Sequence, residues 1–343
     1  MAVISFKPKQ VTKRLLSNLQ DRAYDIIVNR YGLTDSADSK TLEAIGKKYS
    51  ITRERVRQIE NAALAAIRKS DSFKSEHKTF GELKALIETS GAMVHEDDFL
   101  AFISKDKSVQ NHVRFYLVLG DEFKSMKEDE HFSARWTVDE KLSDAVHEAL
   151  HSVYSTLDDK ELLSEEDLVI RFLKEVKDVA DQYKNEEIAR RWLNISKKIA
   201  KNPLGEWGPS DSQNIKTRGI KDYAFLMMRK HGSPMHFREV AKAIADTFGK
   251  KTHVATTHNE LIKDSRFVLV GRGYYALAEW GYKPGIVRDV IKEILVKEGP
   301  LTKEDVIDRV LKERFLKKNT ILVNLQNAKY FKKLSDGRYT VAK

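Results

Sequence analysis

The chain of 343 residues contains no cysteine. A disulfide framework, a thiolate zinc site and a cysteine nucleophile are therefore excluded together. Long apolar runs are also missing. Ala224-Phe225-Leu226-Met227-Met228 is among the longest, whereas a membrane span needs roughly 18 apolar residues. Nor does Met1-Ala2-Val3-Ile4-Ser5-Phe6-Lys7 place a basic segment before an apolar core. No secretory signal is read there, and a soluble cytoplasmic protein without a membrane partner is expected. What the chain does have is charge, at 33% of residues against 41% apolar. That balance suits a globular fold, and the length suits two to three domains of about 150 residues.

The net charge of +10 is unevenly spread. Residues 1–70 carry +7, residues 71–140 carry −6, and residues 141–215 carry −4. Residues 216–285 then carry +7 and residues 286–343 carry +6. Basic ends suit a polyanion, nucleic acid being the usual one, with solvated surface lysine as the alternative. The acidic middle does not suit contact with DNA.

Residues 41–68 predict two helices joined by a tight turn. Thr41 caps the first, and Leu42, Ile45 and Tyr49 supply its apolar contacts. Ser50-Ile51-Thr52 makes the turn. Thr52 is a good N-cap for the second helix, and Glu54 suits its N-terminal dipole. At about 100° per residue, with Arg53 at zero, Val56, Ile59, Ala63, Ala66 and Ile67 fall within one arc of about 220° to 320°. That arc is the expected packing face. Arg53, Glu54, Arg57, Gln58 and Asn61 fall on the opposite side, between about 0° and 140°. Their types suit base edges: Arg pairs with guanine, Gln or Asn with adenine, and Glu accepts from the cytosine amino group. A helix-turn-helix puts such residues into the major groove.

Thr41-Leu42-Glu43-Ala44-Ile45-Gly46, then Ile51-Thr52-Arg53-Glu54-Arg55-Val56-Arg57-Gln58-Ile59-Glu60, resembles the fourth conserved region of sigma-70 family factors. Arg30-Tyr31-Gly32-Leu33 upstream fits the same region, and the likeness covers about residues 12–69. The resemblance implies reading of a −35 promoter element, with groove contacts from Arg53, Glu54, Arg57 and Gln58. It implies phosphate contacts near Thr41, Leu42 and Glu43. It also implies that the helices from Leu15 to Tyr31 correspond to the part that docks on the flap of RNA polymerase. Primary sigma factors carry a long −10-melting section before this region. Here the module starts within about a dozen residues of Met1, so independent initiation is not expected.

The rest of the chain repeats four times. His95-Glu96-Asp97-Asp98-Phe99, Ser164-Glu165-Glu166-Asp167-Leu168, His236-Phe237-Arg238-Glu239-Val240 and Thr302-Lys303-Glu304-Asp305-Val306 share a pattern. Each has a helix cap, an acidic residue three positions on, then an apolar residue, approximating a capping box. The starts lie 69, 72 and 66 residues apart. Each is followed by an aromatic landmark, namely Trp136, Trp207, Trp280 and Tyr339. This period fits tandem small domains rather than a solenoid.

The third copy is the clearest. Tyr223–Lys230, His236–Phe248 and Val254–Lys263 read as helices. Arg266–Val270, Gly271-Arg272-Gly273 and Tyr274–Leu277 read as a β-hairpin. Three helices and a hairpin make a winged helix, with Trp280 packed behind the wing. Gly232–Glu239 with Arg266–Tyr282 resembles the HARE-HTH domain, carried by the RNA polymerase delta subunit of some bacteria. That likeness covers about residues 219–282. The expected fold is mainly α: a helix-turn-helix over 1–70, then winged domains over 78–140, 141–215, 216–284 and 285–343. The third and fourth copies total +13, the first and second −10. Lys250, Lys251, Arg266 and Arg272 in the third copy, and Lys317, Lys318, Lys332 and Lys333 in the fourth, are candidate phosphate contacts.

One enzyme pattern stands against this reading. His147-Glu148-Ala149-Leu150-His151 has the spacing of two zinc-ligand histidines with a glutamate base. It falls in the first helix of the second copy, where Val146, Leu150, Val153 and Leu157 already form a packing stripe, and no third ligand follows convincingly. The sequence therefore points to a non-enzymatic DNA-binding transcription regulator with no cofactor. Its expected partners are double-stranded promoter DNA and core RNA polymerase. The alternatives are a delta-like polymerase accessory subunit and a zinc hydrolase.

Overall fold

Thr41 and Thr52 open two consecutive helices, as the capping chemistry predicts. A computed structural model of the chain describes residues 4–177, 179–282, 285–314 and 317–342. The first three residues of the N-terminal segment read above thus lie outside it. The described residues form two units, Met1–Lys201 with Gly205–Ser212, and Asn202–Leu204 with Gln213–Lys343.

The first unit begins with α1 (Pro8–Leu16), α2 (Asp21–Tyr31), α3 (Leu42–Tyr49), α4 (Arg53–Lys69) and the short α5 (Asp71–Ser75). Thr41 Oγ1 accepts from the Ala44 amide, and Thr52 Oγ1 from the Arg55 amide. Between α3 and α4, Ser50 takes the left-handed conformation and its amide closes on Gly46 and Lys47. The turn is tight because Gly46 lacks a side chain. A β-carbon there would lie 2.7 Å from the Ile51 carbonyl oxygen. Ile26, Ile45 and Val56 bury against one another beneath the turn.

The packing face of α4 is rotated from the expected arc. Val56, Glu60, Ala63, Leu64 and Ile67 are buried, whereas Ala66 is exposed. Leu64 offers far more apolar area than Ala66, and fully burying such a side chain stabilises by about 1.5–3 kcal/mol. Glu60 follows Leu64 inward because Tyr31 donates its hydroxyl to Glu60 at 2.9 Å, and Arg30 lies 3.6 Å away.

The four repeats share one order: helix, short strand, helix, helix, strand, strand. The first has α6 (His77–Thr89), β1 (Met93–His95), α7 (Glu96–Ile103), α8 (Lys107–Leu119), β2 (Lys124–Met126) and β3 (Arg135–Thr137). Its antiparallel sheet runs β1-β3-β2. The second has α9 (Glu140–Thr156), a one-residue bridge at Leu163, α10 (Glu165–Glu175), α11 (Glu186–Leu193), β4 (Ile199–Lys201) and β5 (Trp207–Pro209).

The second unit holds the other two copies. The third has α12 (Ile220–His231), β6 (Met235–His236), α13 (Phe237–Phe248), α14 (Val254–Lys263), β7 (Phe267–Leu269) and β8 (Tyr274–Leu277). Its sheet runs β6-β8-β7. The fourth has α15 (Val287–Glu298), a bridge at Leu301, α16 (Lys303–Glu313), α17 (Lys318–Leu325), β9 (Phe331–Lys333) and β10 (Tyr339–Val341).

All four repeat caps form. His95, Ser164, His236 and Thr302 each accept a backbone amide from the first turn of the second helix. The residue before each cap pairs with an aromatic on the last strand. The pairs are Val94 with Trp136, Leu163 with Trp207, Met235 with Tyr275, and Leu301 with Tyr339. This corrects one landmark. In the third copy the equivalent aromatic is Tyr275, while Trp280 sits beyond the strand in a 3₁₀ turn against Val268, Val270 and Ala276. Trp280 does pack behind the wing, as predicted, but at a different position from Trp136 and Trp207.

The helix-turn-helix does not bury its apolar faces alone. Val11, Leu15, Ile27, Ala63, Leu64 and Ile67 share one core with Phe80, Leu83, Val113, Phe115, Tyr116 and Leu119 of the first winged repeat. The third helix of that repeat, α8, lies against α1 and α2. The Thr12 hydroxyl is 2.7 Å from His112 Nδ1 and 2.8 Å from the Tyr116 hydroxyl, which donates to the Pro8 carbonyl.

Candidate nucleic-acid interface

Capping and packing leave the solvent side of α4 to its polar residues. Arg53, Glu54, Arg57, Gln58 and Asn61 are all exposed. Thr41 and Glu43 are exposed at the start of α3, and Leu42 is half-buried against the small core. The α4 side chains are paired with one another. Arg57 donates to both carboxylate oxygens of Glu54, at 2.8 and 2.7 Å. That hydrogen bond holds the Glu54 carboxyl below its usual range and raises Arg57. Arg55 donates to Gln58 Oε1 at 3.0 Å. The wheel places Arg55 off the reading arc, but the i,i+3 spacing to Gln58 carries the signal. Exposed pairs of this kind are weak and screened by water. Exchanging them for base edges is therefore inexpensive.

The surrounding basic residues divide into two groups. Lys47 bridges Glu43, and Lys48 bridges Asp25, all near the surface. Arg68 points the other way, donating to the Leu119 and Val118 carbonyls of α8.

The candidate phosphate contacts divide similarly. Lys250 is exposed over the Tyr223 ring at 4.8 Å. Lys251 and the wing-tip Arg272 are exposed, as are Lys332 and Lys333 on β9. Arg266 differs from expectation. Its guanidinium turns inward, donating to Asp222 at 2.8 Å and to Asp264 at 2.7 and 3.0 Å. The side chain is 16% exposed and both carboxylates less. Desolvating Arg266 is offset by these two partners, which leaves it no free fork for a phosphate.

The histidine pattern also has another use here. His147 Nε2 accepts from Arg135 Nε at 2.8 Å, and its ring stacks on Phe132. Burial and the adjacent guanidinium push the His147 pKa down to about 4. Glu148 and His151 are exposed. Among the described residues, no group of three or more His, Asp or Glu is placed to hold a metal ion. No described helix is long and apolar enough to cross a membrane.

Residues 15–69 match the Sigma-70, region 4 model. The chain carries a sigma-70 region 4 domain. Residues 218–280 match the HARE-HTH model, a helix-turn-helix domain described from ASXL proteins and restriction endonucleases among others, so a HARE-HTH domain is present as well. The chain is 43% identical over 60 residues to RNA polymerase sigma factor RpoD of Helicobacter pylori, covering 18% of this chain and 9% of that protein. It is 50% identical over 54 residues to RNA polymerase sigma factor SigA1 of Synechococcus elongatus, covering 16% and 13%. It is 39% identical over 69 residues to RNA polymerase sigma factor RpoD of Neisseria gonorrhoeae, covering 19% and 11%. The chain thus spans about a tenth of the length of these relatives. The apolar sides of α1 and α2 are buried in part against α8 of the neighbouring repeat.

Proposed function

We propose that this chain is a DNA-binding transcription regulator that reads a −35-like duplex through α4 and acts together with RNA polymerase. The observation that carries the reading is the exposed row of Arg53, Glu54, Arg57, Gln58 and Asn61 opposite a packed face, inside a region 4 domain. Each good bidentate base contact contributes about 1–3 kcal/mol of discrimination. On this reading Thr41, Leu42 and Glu43 at the start of α3 contact the backbone phosphates beside the groove. The polymerase part of the reading needs a surface other than the apolar sides of α1 and α2. Those sides are already buried, in part against α8.

Binding of the full chain to a −35-like duplex and to a base-permuted duplex tests the reading. The −35-like duplex should bind more tightly, and Arg57→Ala or Gln58→Ala should reduce that preference. Equal affinity for both duplexes, or equal loss on both from the variants, would sink it. Copurification with core RNA polymerase tests the partner separately. Binding to polymerase without duplex preference would favour the accessory-subunit reading, to which the HARE-HTH domain also lends support.

A further inference from the structure

In a winged domain the second and third helices form a helix-turn-helix, and the third is the one that can enter a major groove. The four copies treat this helix differently. In the first copy, α8 is covered by the region 4 domain. In the second copy, α11 lies on the first: the Trp192 indole donates to the Gly91 carbonyl at 3.2 Å, and Arg191 covers the Phe102 ring. In the third copy, α14 exposes Val254 and Ile262 on its solvent side, as α17 of the fourth copy exposes Val323, but it carries no Lys or Arg before Lys263. Arg266 beside it is held inward by Asp222 and Asp264.

The fourth copy combines an exposed start of its third helix with a basic surface. No acidic residue occurs from position 317 through 335. Lys317 and Lys318 stand exposed at the start of α17, and Lys332 and Lys333 stand exposed on the wing strand β9. Among the described residues, none of these four pairs with a carboxylate. The wing's Asp336 is engaged by Arg338 at 2.6 Å. A groove of about 770 Å³ runs from the end of α17 to the wing, lined by Leu325, Gln326, Lys332, Lys333 and Tyr339. Unpaired lysines on both the helix and the wing are complementary to the closely spaced charges of a duplex backbone.

We propose that the fourth winged domain is a second duplex-DNA site, at which Lys317, Lys318, Lys332 and Lys333 neutralise backbone phosphates. Lysine acts on a phosphate as a point charge, and phosphate contacts carry no sequence information. The site adds affinity and registers the chain on DNA without reading bases. It rests on the proposed DNA-binding role only for its choice of ligand.

The test uses the full chain and a random-sequence duplex, with affinity measured across a series of salt concentrations. Each neutralised phosphate contributes about 0.9 to the slope of log affinity against log salt. Changing all four lysines to Gln should flatten that slope by about 3 to 4. Changing them to Arg should leave it unaltered. Arg57→Ala should reduce duplex preference while leaving this part of the slope in place, so failure at α4 and failure here are separable. An unchanged slope in the folded Lys→Gln variant would overturn the site. So would a loss of binding to single-stranded RNA or to core polymerase with duplex binding intact. If that variant does not fold, lysine acetylation of the unmodified chain supplies the answer. Duplex should protect these four amines, and equal labelling with and without duplex would overturn the proposal.

Discussion

Asn111 donates its side-chain amide to the Gly32 carbonyl at 3.0 Å, and a β-carbon on Gly32 would lie 2.7 Å from that same amide nitrogen. Gly32 ends α2 in the left-handed conformation, and Asn111 sits in the middle of α8. Asn111 also donates to the Ala37 carbonyl at 2.9 Å. One buried amide thus fastens the region 4 domain to the first winged repeat.

Gly32→Ala should therefore destabilise the first unit twice over, by backbone strain and by collision with Asn111. A loss of about 2–3 kcal/mol is expected. Asn111→Ala leaves the Gly32 and Ala37 carbonyls short of a donor and should lose about 1–3 kcal/mol. Urea unfolding of the full chain measures both. Wild-type midpoints in both variants would mean that the contact contributes nothing.

Buried His112 predicts a pH dependence. Burial, followed by the nearby charge of Lys9, pushes its pKa down to about 4, while Asp106 and Asp35 oppose this more weakly. The folded state holds the ring neutral, and the unfolded chain binds a proton first, near pH 6.5. Stability from this group is therefore complete above about pH 6.5 and is lost progressively as pH falls toward 4. The loss should approach about 3 kcal/mol. Carboxylates titrate in the same region, so the informative quantity is the difference between wild type and His112→Gln. That difference should change between about pH 7.5 and pH 4.5. A constant difference would refute the assignment.

His147 supports Arg135, which is 5% exposed. His147→Ala should leave a buried guanidinium short of an acceptor and lower stability by about 1–3 kcal/mol. His147→Gln should recover part of that loss. Added zinc should move neither midpoint, and elemental analysis should find no stoichiometric zinc. About one zinc per chain, absent in His147→Ala, would revive the hydrolase reading.

Arg266→Ala should act on folding rather than on DNA. It strands Asp222 and Asp264, whose carboxyls are held below the usual range, largely through their bonds to Arg266. Removing one partner of this part-buried cluster leaves two uncompensated carboxylates, so a clear loss of stability in urea unfolding is expected. The salt slope of duplex binding should not move. A flattened slope with unchanged stability would return Arg266 to the phosphate contacts.

Much of the architecture is legible along the chain because its signals are local. A threonine or histidine cap needs only the next three residues, so Thr41, Thr52, His95, Ser164, His236 and Thr302 all mark helix starts correctly. The exposed row on α4 follows from helical periodicity. The wheel errs at Ala66 and Leu64 because it spaces residues evenly without weighing their size. It cannot see that Tyr31 and Arg30, an α-helix away, make it favourable to bury Glu60. The landmark Trp280 misleads for a related reason. Offsets along the chain count residues, whereas strand register pairs Met235 with Tyr275.

Local composition and spacing thus suffice for the helix caps, the fourfold repeat, the exposed polar row of α4 and the basic ends. They do not reveal which of those surfaces remain free. Nothing near Asn111, Phe115 or Tyr116 in the chain announces that α8 turns toward α1 and α2. Nothing near Arg266 announces Asp222, which lies 44 residues away. Charge and exposed apolar area are properties of a side chain. Availability to a partner is a property of what already touches it, and those contacts form between segments far apart in sequence.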